Sequence, residues 1–105
     1  MKDSERLQAA WNELQEPGKW TKGAFARDSS GRTVFMGDPS ACSWCSLGVA
    51  VRYQAPSKYL RQALRVGSVG RVNDNAESVQ DLAPMWERAI NLAKEYENAN
   101  NTTNV

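Results

Sequence analysis

Cys42-Ser43-Trp44-Cys45 places two thiols three residues apart, and of all the spacings in this chain it is the one best suited to redox or metal chemistry. On a helix, residues i and i+3 share a face, and near a helix N-terminus the dipole lowers a thiol's pKa. Thioredoxin-type motifs follow a strand in a βαβ unit, and no such pattern precedes Cys42. A zinc site needs two further Cys or His ligands, whereas the chain holds two cysteines and no histidine. Lack of histidine also removes the commonest general base. Packing of the thiols as small hydrophobes is the favoured reading, and thiol or metal chemistry at Cys42 and Cys45 is the alternative.

A second set is basic. Lys58, Arg61 and Arg65 recur at helical spacing, Arg52 and Arg71 flank them, and residues 52–71 contain no acid. Such a stripe could contact phosphates or an acidic protein surface, and a solvated helix face would show the same spacing. Residues 72–105 carry six acids against two bases, a balance of −4, so mutual compensation of the two segments is the plain reading. Tyr53 and Tyr59 could stack on a base but also suit core positions. Asn73-Asp74 could orient a ligand, although a turn of local side-chain-to-backbone bonds is the commoner use of such a pair. No phosphate-binding glycine loop occurs, and no cofactor is expected.

The elements that must position these residues are short. A chain of 105 residues with 41% apolar content, four Trp and a net charge of +1 suits one domain with a single core. Leu7, Ala10, Trp11 and Leu14 form a helical stripe, capped by Asp3 or Ser4 and ended by Pro17-Gly18. Two short runs around Asp28-Ser29-Ser30-Gly31 predict a β-hairpin at 20–36. Asp38 and Pro39 suit a helix start, and nothing charged follows until Arg52, which predicts a buried central helix over 39–54. Gly48 within it predicts a close backbone approach by another element. Tyr59, Leu60, Ala63 and Leu64 face inward on a helix from Ser57 to Val66, with Gly67 as its cap. Residues 68–75 read as a linker. Ser78 with Asp81 resembles a capping box ahead of a last helix carrying Leu82, Met85, Trp86, Ala89, Ile90 and Ala93, with Pro84 at or near its first turn.

The expected architecture is mainly α (α+β): a single globular domain over 1–97, about four helices packed round the central one, and a disordered tail at 98–105. No apolar run approaches the ~18 residues that cross a bilayer, and Lys2 to Gln15 lacks the apolar region of a signal peptide. A cytoplasmic protein without membrane contact is expected.

W-x-x-G-A-x-A-x-D-x-x-G from Trp20 to Gly31, W-C-x-x-G from Trp44 to Gly48, and Asn73-Asp74 before Arg88-Ala89-Ile90 together resemble a small family of bacterial and phage genomes, a domain of unknown function. The resemblance spans roughly residues 7 to 91. That family usually carries Trp immediately before its N-D pair, where this chain has Val72. It implies a shared fold and brings no catalytic residues. Small size, absence of histidine, no cofactor motif and four Trp favour a non-catalytic module acting by protein–protein contact, and the phage occurrence of similar sequences makes an accessory or anti-defence inhibitor a special case. Its candidate binding residues are Arg52, Lys58, Arg61, Arg65, Arg71 and Trp20, and its partner a protein with an acidic surface. The alternatives are a nucleotide or nucleic-acid binder using the basic helix, and the thiol site.

Overall fold

A computed structural model describes residues 1–103, with side chains through residue 99. The fold is mainly helical with a small antiparallel sheet. In chain order it runs α1 (Asp3–Leu14), β1 (Ala26–Arg27), β2 (Thr33–Val34), β3 (Ser43–Trp44), α2 (Ser46–Arg52), α3 (Lys58–Ala63), α4 (Val69–Asn75), a 3₁₀ turn (Val79–Leu82) and α5 (Ala83–Thr103).

The long helices follow their apolar periodicity. Leu7, Ala10, Trp11 and Leu14 of α1 are buried against Met85, Trp86, Ala89, Ile90 and Ala93 of α5. Trp11 and Trp86 stack with centroids 5.6 Å apart and planes inclined by 14°. Ser4 does not cap α1: its N–H and hydroxyl both donate to the Glu97 carboxylate on α5, while Glu5 accepts the Lys2 N–H. Ser78 and Asp81 form the expected capping box at the 3₁₀ turn, and α5 begins at Ala83, which leaves Pro84 in its first turn. That helix continues to Thr103, past the expected domain end at residue 97; residues 104–105 of the expected tail lie outside the described residues. No helix of the described residues is long and apolar enough to cross a membrane.

The central helix is shorter than expected. Asp38 starts an Asx turn, its Oδ1 accepting from the Ser40 N–H and hydroxyl, and Ala41 N–H then closes a turn onto Asp38 O. Residues 42–45 are recruited into pairing instead: Cys42 N–H reaches Arg27 O at 2.9 Å, Trp44 N–H reaches Lys19 O at 2.8 Å, and Cys45 N–H reaches Phe25 O at 3.2 Å. Cys, Ser and Trp are weak helix formers, and a two-stranded ribbon gains stability from a third strand. The sheet order is accordingly β2-β1-β3, with Ala26 paired to Val34 on one side and to Trp44 on the other. α2 begins only after Cys45. Trp44, Cys45 and Val49 are buried as expected, whereas Val51 is exposed.

Two further boundaries move. α3 stops at Ala63, with Leu64 already extended, so it ends before the expected Val66, and the left-handed Gly67 lies beyond it in the following turn. Residues 69–75 are a helix rather than a linker, because Ser68 Oγ caps Arg71 N–H and Val69 and Asn73, one turn apart, are both buried.

Candidate functional site on the outer face of the small sheet

The site rests on a polar frame centred on Asn73, whose side chain is entirely buried. Its Oδ1 accepts from Trp20 Nε1, Ser46 N–H and the Ser46 hydroxyl, each at 2.9 Å. Its Nδ2 donates to Thr21 O at 3.1 Å and to Asp74 Oδ1 at 3.2 Å. Ser46 Oγ in turn accepts from Trp86 Nε1 at 3.3 Å, and Asp74 Oδ1 accepts from Gly23 N–H at 3.0 Å. One amide thus ties α4 to the segment before the hairpin, to the start of α2 and, through Ser46, to α5. The expectation of local turn bonds at Asn73 is corrected: its main partners lie 27 and 53 residues away.

The remaining motif residues build the same frame. A Cβ on Gly48 would sit 2.1 Å from Phe25 O, so glycine is required where α2 crosses the sheet. Asp28 Oδ1 accepts from Ser30 N–H, the Ser30 hydroxyl and Arg32 N–H, which closes the hairpin and holds its carboxyl below the usual carboxylate range. Cys45 is the N-cap of α2, its Sγ accepting from Gly48 N–H at 3.3 Å. Burial pushes the Cys45 thiol above its ordinary value, the opposite of what a nucleophile or metal ligand needs. Cys42 and Cys45 flank β3 at an odd spacing, so they fall on opposite faces of an extended run and not on one helical face. Both are free, and the described residues contain no cluster of acids and thiols able to hold a metal ion.

Register decides what the outer face of the sheet carries. Arg27 opposes Thr33, while Phe25 and Phe35 lie just outside the paired residues, Phe25 before β1 and Phe35 after β2. Arg27 and Thr33 face away from Ala26 and Trp44, which belong to the core, and from Val34, which packs against it. Phe25 is 51% exposed and Phe35 73%. Beside Phe25 lies an open groove of about 410 Å³, walled by Thr33, Cys45, Leu47, Gly70 and Asp74. Arg27 does not reach into it freely: Nε donates to Thr21 Oγ1, Nη1 to Gly31 O and Nη2 to Lys22 O. Lys22 is also engaged, donating to Ala76 O at 2.6 Å.

The residues singled out from the sequence are not brought together. Arg52, at the end of α2, pairs with Glu13 at 2.6 Å and lies over the Trp44 ring at 4.6 Å. Lys58 sits over Tyr59 and Tyr96 at 5.1 and 5.5 Å, and Arg61 bonds Ser57 Oγ at 3.1 Å. Arg65 follows the end of α3, so it leaves the helical register of Lys58 and Arg61. Arg71 is exposed on α4, and Trp20 is half-buried in the Asn73 frame. The ion pair between Arg52 and Glu13 lies outside the acidic segment, so the basic and acidic segments do not compensate through direct pairs among the described residues. Phe25 and Phe35 were missed by sequence reasoning. Their available signal was one phenylalanine in each run of the expected hairpin. No family model, curated protein or solved structure matches this chain.

Proposed function

We propose that this chain is a non-catalytic binding module acting by protein–protein contact, and that the outer face of its sheet is the contact surface. The observation that carries this reading is the exposure of two aromatic rings, Phe25 and Phe35, half to three-quarters in water at the ends of the paired β1–β2 residues. Burying a Phe side chain releases about 2 kcal/mol, so two rings left in water are a standing gain for whatever covers them. A frame ordered before binding leaves little entropy to lose on association, which makes such rings effective anchors. The resemblance of the motifs to a family of bacterial and phage genomes supports the narrower reading of an accessory or anti-defence inhibitor.

Affinity capture from the source cells tests this with three baits: the wild-type chain, Phe25→Ser/Phe35→Ser, and Val66→Ser as an exposed apolar control. The expected result is a protein retained by the wild type and the control and lost from the double variant. The same captured set with all three baits sinks the proposal.

A second reading keeps the basic residues. Lys58, Arg61, Arg65 and Arg71 have no carboxylate within ion-pair distance among the described residues, which favours contact with phosphate groups or with an acidic protein surface. Retention on single- or double-stranded nucleic acid that weakens steeply with salt supports the phosphate version. The thiol reading is weakened by the raised pKa and capping role of Cys45.

A further inference from the structure

The groove beside Phe25 has walls of unequal character, and that asymmetry points to what fills it. We infer that it takes a segment of a partner protein in which an apolar side chain stands next to a lysine or arginine, the apolar group lying against Phe25 and Leu47 and the cation against Asp74. This rests on the protein-binding reading above and specifies its partner.

Three observations support it. The volume of about 410 Å³ lies within the range of binding clefts, room enough for side chains of a partner segment. Gly23 and Gly70 leave backbone at the groove's rim: a Cβ on Gly70 would meet nothing within 4 Å, so a chain can approach α4 closely there. The lip carries a carboxylate with no ion-paired cation among the described residues. Asp74 is exposed, and both N–H groups it receives go to Oδ1, from Gly23 and Asn73, leaving Oδ2 without a donor among the described residues. Neither Arg27 nor Lys22 lies within ion-pair distance of it: the nitrogens of Arg27 bond to Thr21, Gly31 and Lys22, and Lys22 Nζ to Ala76 O. A carboxylate fixed at the edge of an apolar wall selects a cation adjacent to an apolar group and disfavours an anion there.

An array of immobilised nine-residue peptides tests the specificity. Each holds one Leu in a Gly-Ser background, flanked by Lys, Glu or Ser, with a Lys-only peptide as control. The wild-type chain is expected to retain Leu–Lys peptides above Leu–Ser, Leu–Glu and Lys-only ones. Asp74→Asn keeps an Oδ1 acceptor for Gly23 N–H but removes the charge. It is expected to lower Leu–Lys retention about fivefold and to abolish the preference over Leu–Ser, with little change in Tm. Phe25→Ser is expected to lose all Leu peptides alike. Equal retention of Leu–Lys and Leu–Glu by the wild type, retention of none, or an unchanged preference in Asp74→Asn overturns this inference. Aromatic-dependent capture of a protein partner that Asp74→Asn leaves unaltered in affinity and salt dependence would overturn the inference alone. Loss of aromatic dependence would remove the protein-binding reading beneath it.

Discussion

Two halves of this molecule are held by different physics. Between α1, α3 and α5 the centre of the interface is apolar, Leu7, Leu14, Leu60 and Trp86 being fully enclosed and Trp11 stacked on Trp86, with polar contacts such as Ser4–Glu97 only toward one end. Between the sheet, the start of α2 and α4, the centre is one buried amide with five short hydrogen bonds. Apolar interfaces lose stability in proportion to the atoms removed, with a cavity penalty set by how far neighbours relax. A saturated polar centre fails differently, because removing one member leaves several others buried and unpaired. The first half tolerates adjustment, and the second specifies one arrangement.

That contrast is open to breaking. Asn73→Ala should have the largest effect, because it orphans Ser46 N–H, the Ser46 hydroxyl, Trp20 Nε1 and Thr21 O together. At about 1–3 kcal/mol for each fully buried group, a loss on the order of 4 kcal/mol is expected from urea unfolding. Leu60→Ala in the helical half should cost about 3 kcal/mol. A smaller loss at Asn73 than at Leu60 would remove the distinction.

Gly48→Ala comes next. Alanine should favour a helix by about 1 kcal/mol, but its Cβ would collide with Phe25 O, so a net loss of about 1–3 kcal/mol is expected. A rise in Tm would show that the sheet can move away from α2 at little cost, contrary to a rigid frame.

Cys45 offers a finer test. From the sequence, Ser at this position is expected to be worse than Ala, since it buries a hydroxyl. The capping geometry reverses that order: a Ser hydroxyl accepts from Gly48 N–H better than sulfur does, so Cys45→Ser should exceed Cys45→Ala in stability by about 1 kcal/mol. Replacing both cysteines by Ala should leave partner binding intact.

The same thiol gives stability a pH dependence of defined sign. With its pKa raised by burial, Cys45 keeps its proton in the fold at pH values where the unfolded chain has lost it. Stability should therefore fall as pH rises past the ordinary thiol range, and Cys45→Ala should flatten that decline. Tyr53 and Tyr59, also raised by burial, act in the same direction at higher pH. In the native protein a thiol reagent should modify the half-buried Cys42 before Cys45.

The smallest change is expected at the surface. Lys58→Ala/Arg61→Ala/Arg65→Ala should leave Tm nearly unaltered, within about 0.5 kcal/mol for each site. Slower association of this variant with a captured partner, together with a flatter salt dependence, would extend the contact surface to α3.

Periodicity alone determines α1 and α5, because a stripe facing one core repeats every three to four residues whatever lies opposite. Local chemistry determines the Asp28–Gly31 turn and the Ser78–Asp81 cap, whose partners are four residues away or fewer. Gly48 likewise announced a close approach without saying whose backbone makes it. Only the tertiary structure decided the conformation of residues 42–45. A short stretch of small and apolar residues satisfies a helix or a buried strand equally, and the hydrogen bonds that chose the strand come from Lys19, Phe25 and Arg27. The same holds for Asn73, whose side chain is as well suited to a turn as to a core. Its role follows from Trp20 and Ser46 arriving from distant parts of the chain, and a contact between residues 27 or 53 apart leaves no periodic trace in sequence.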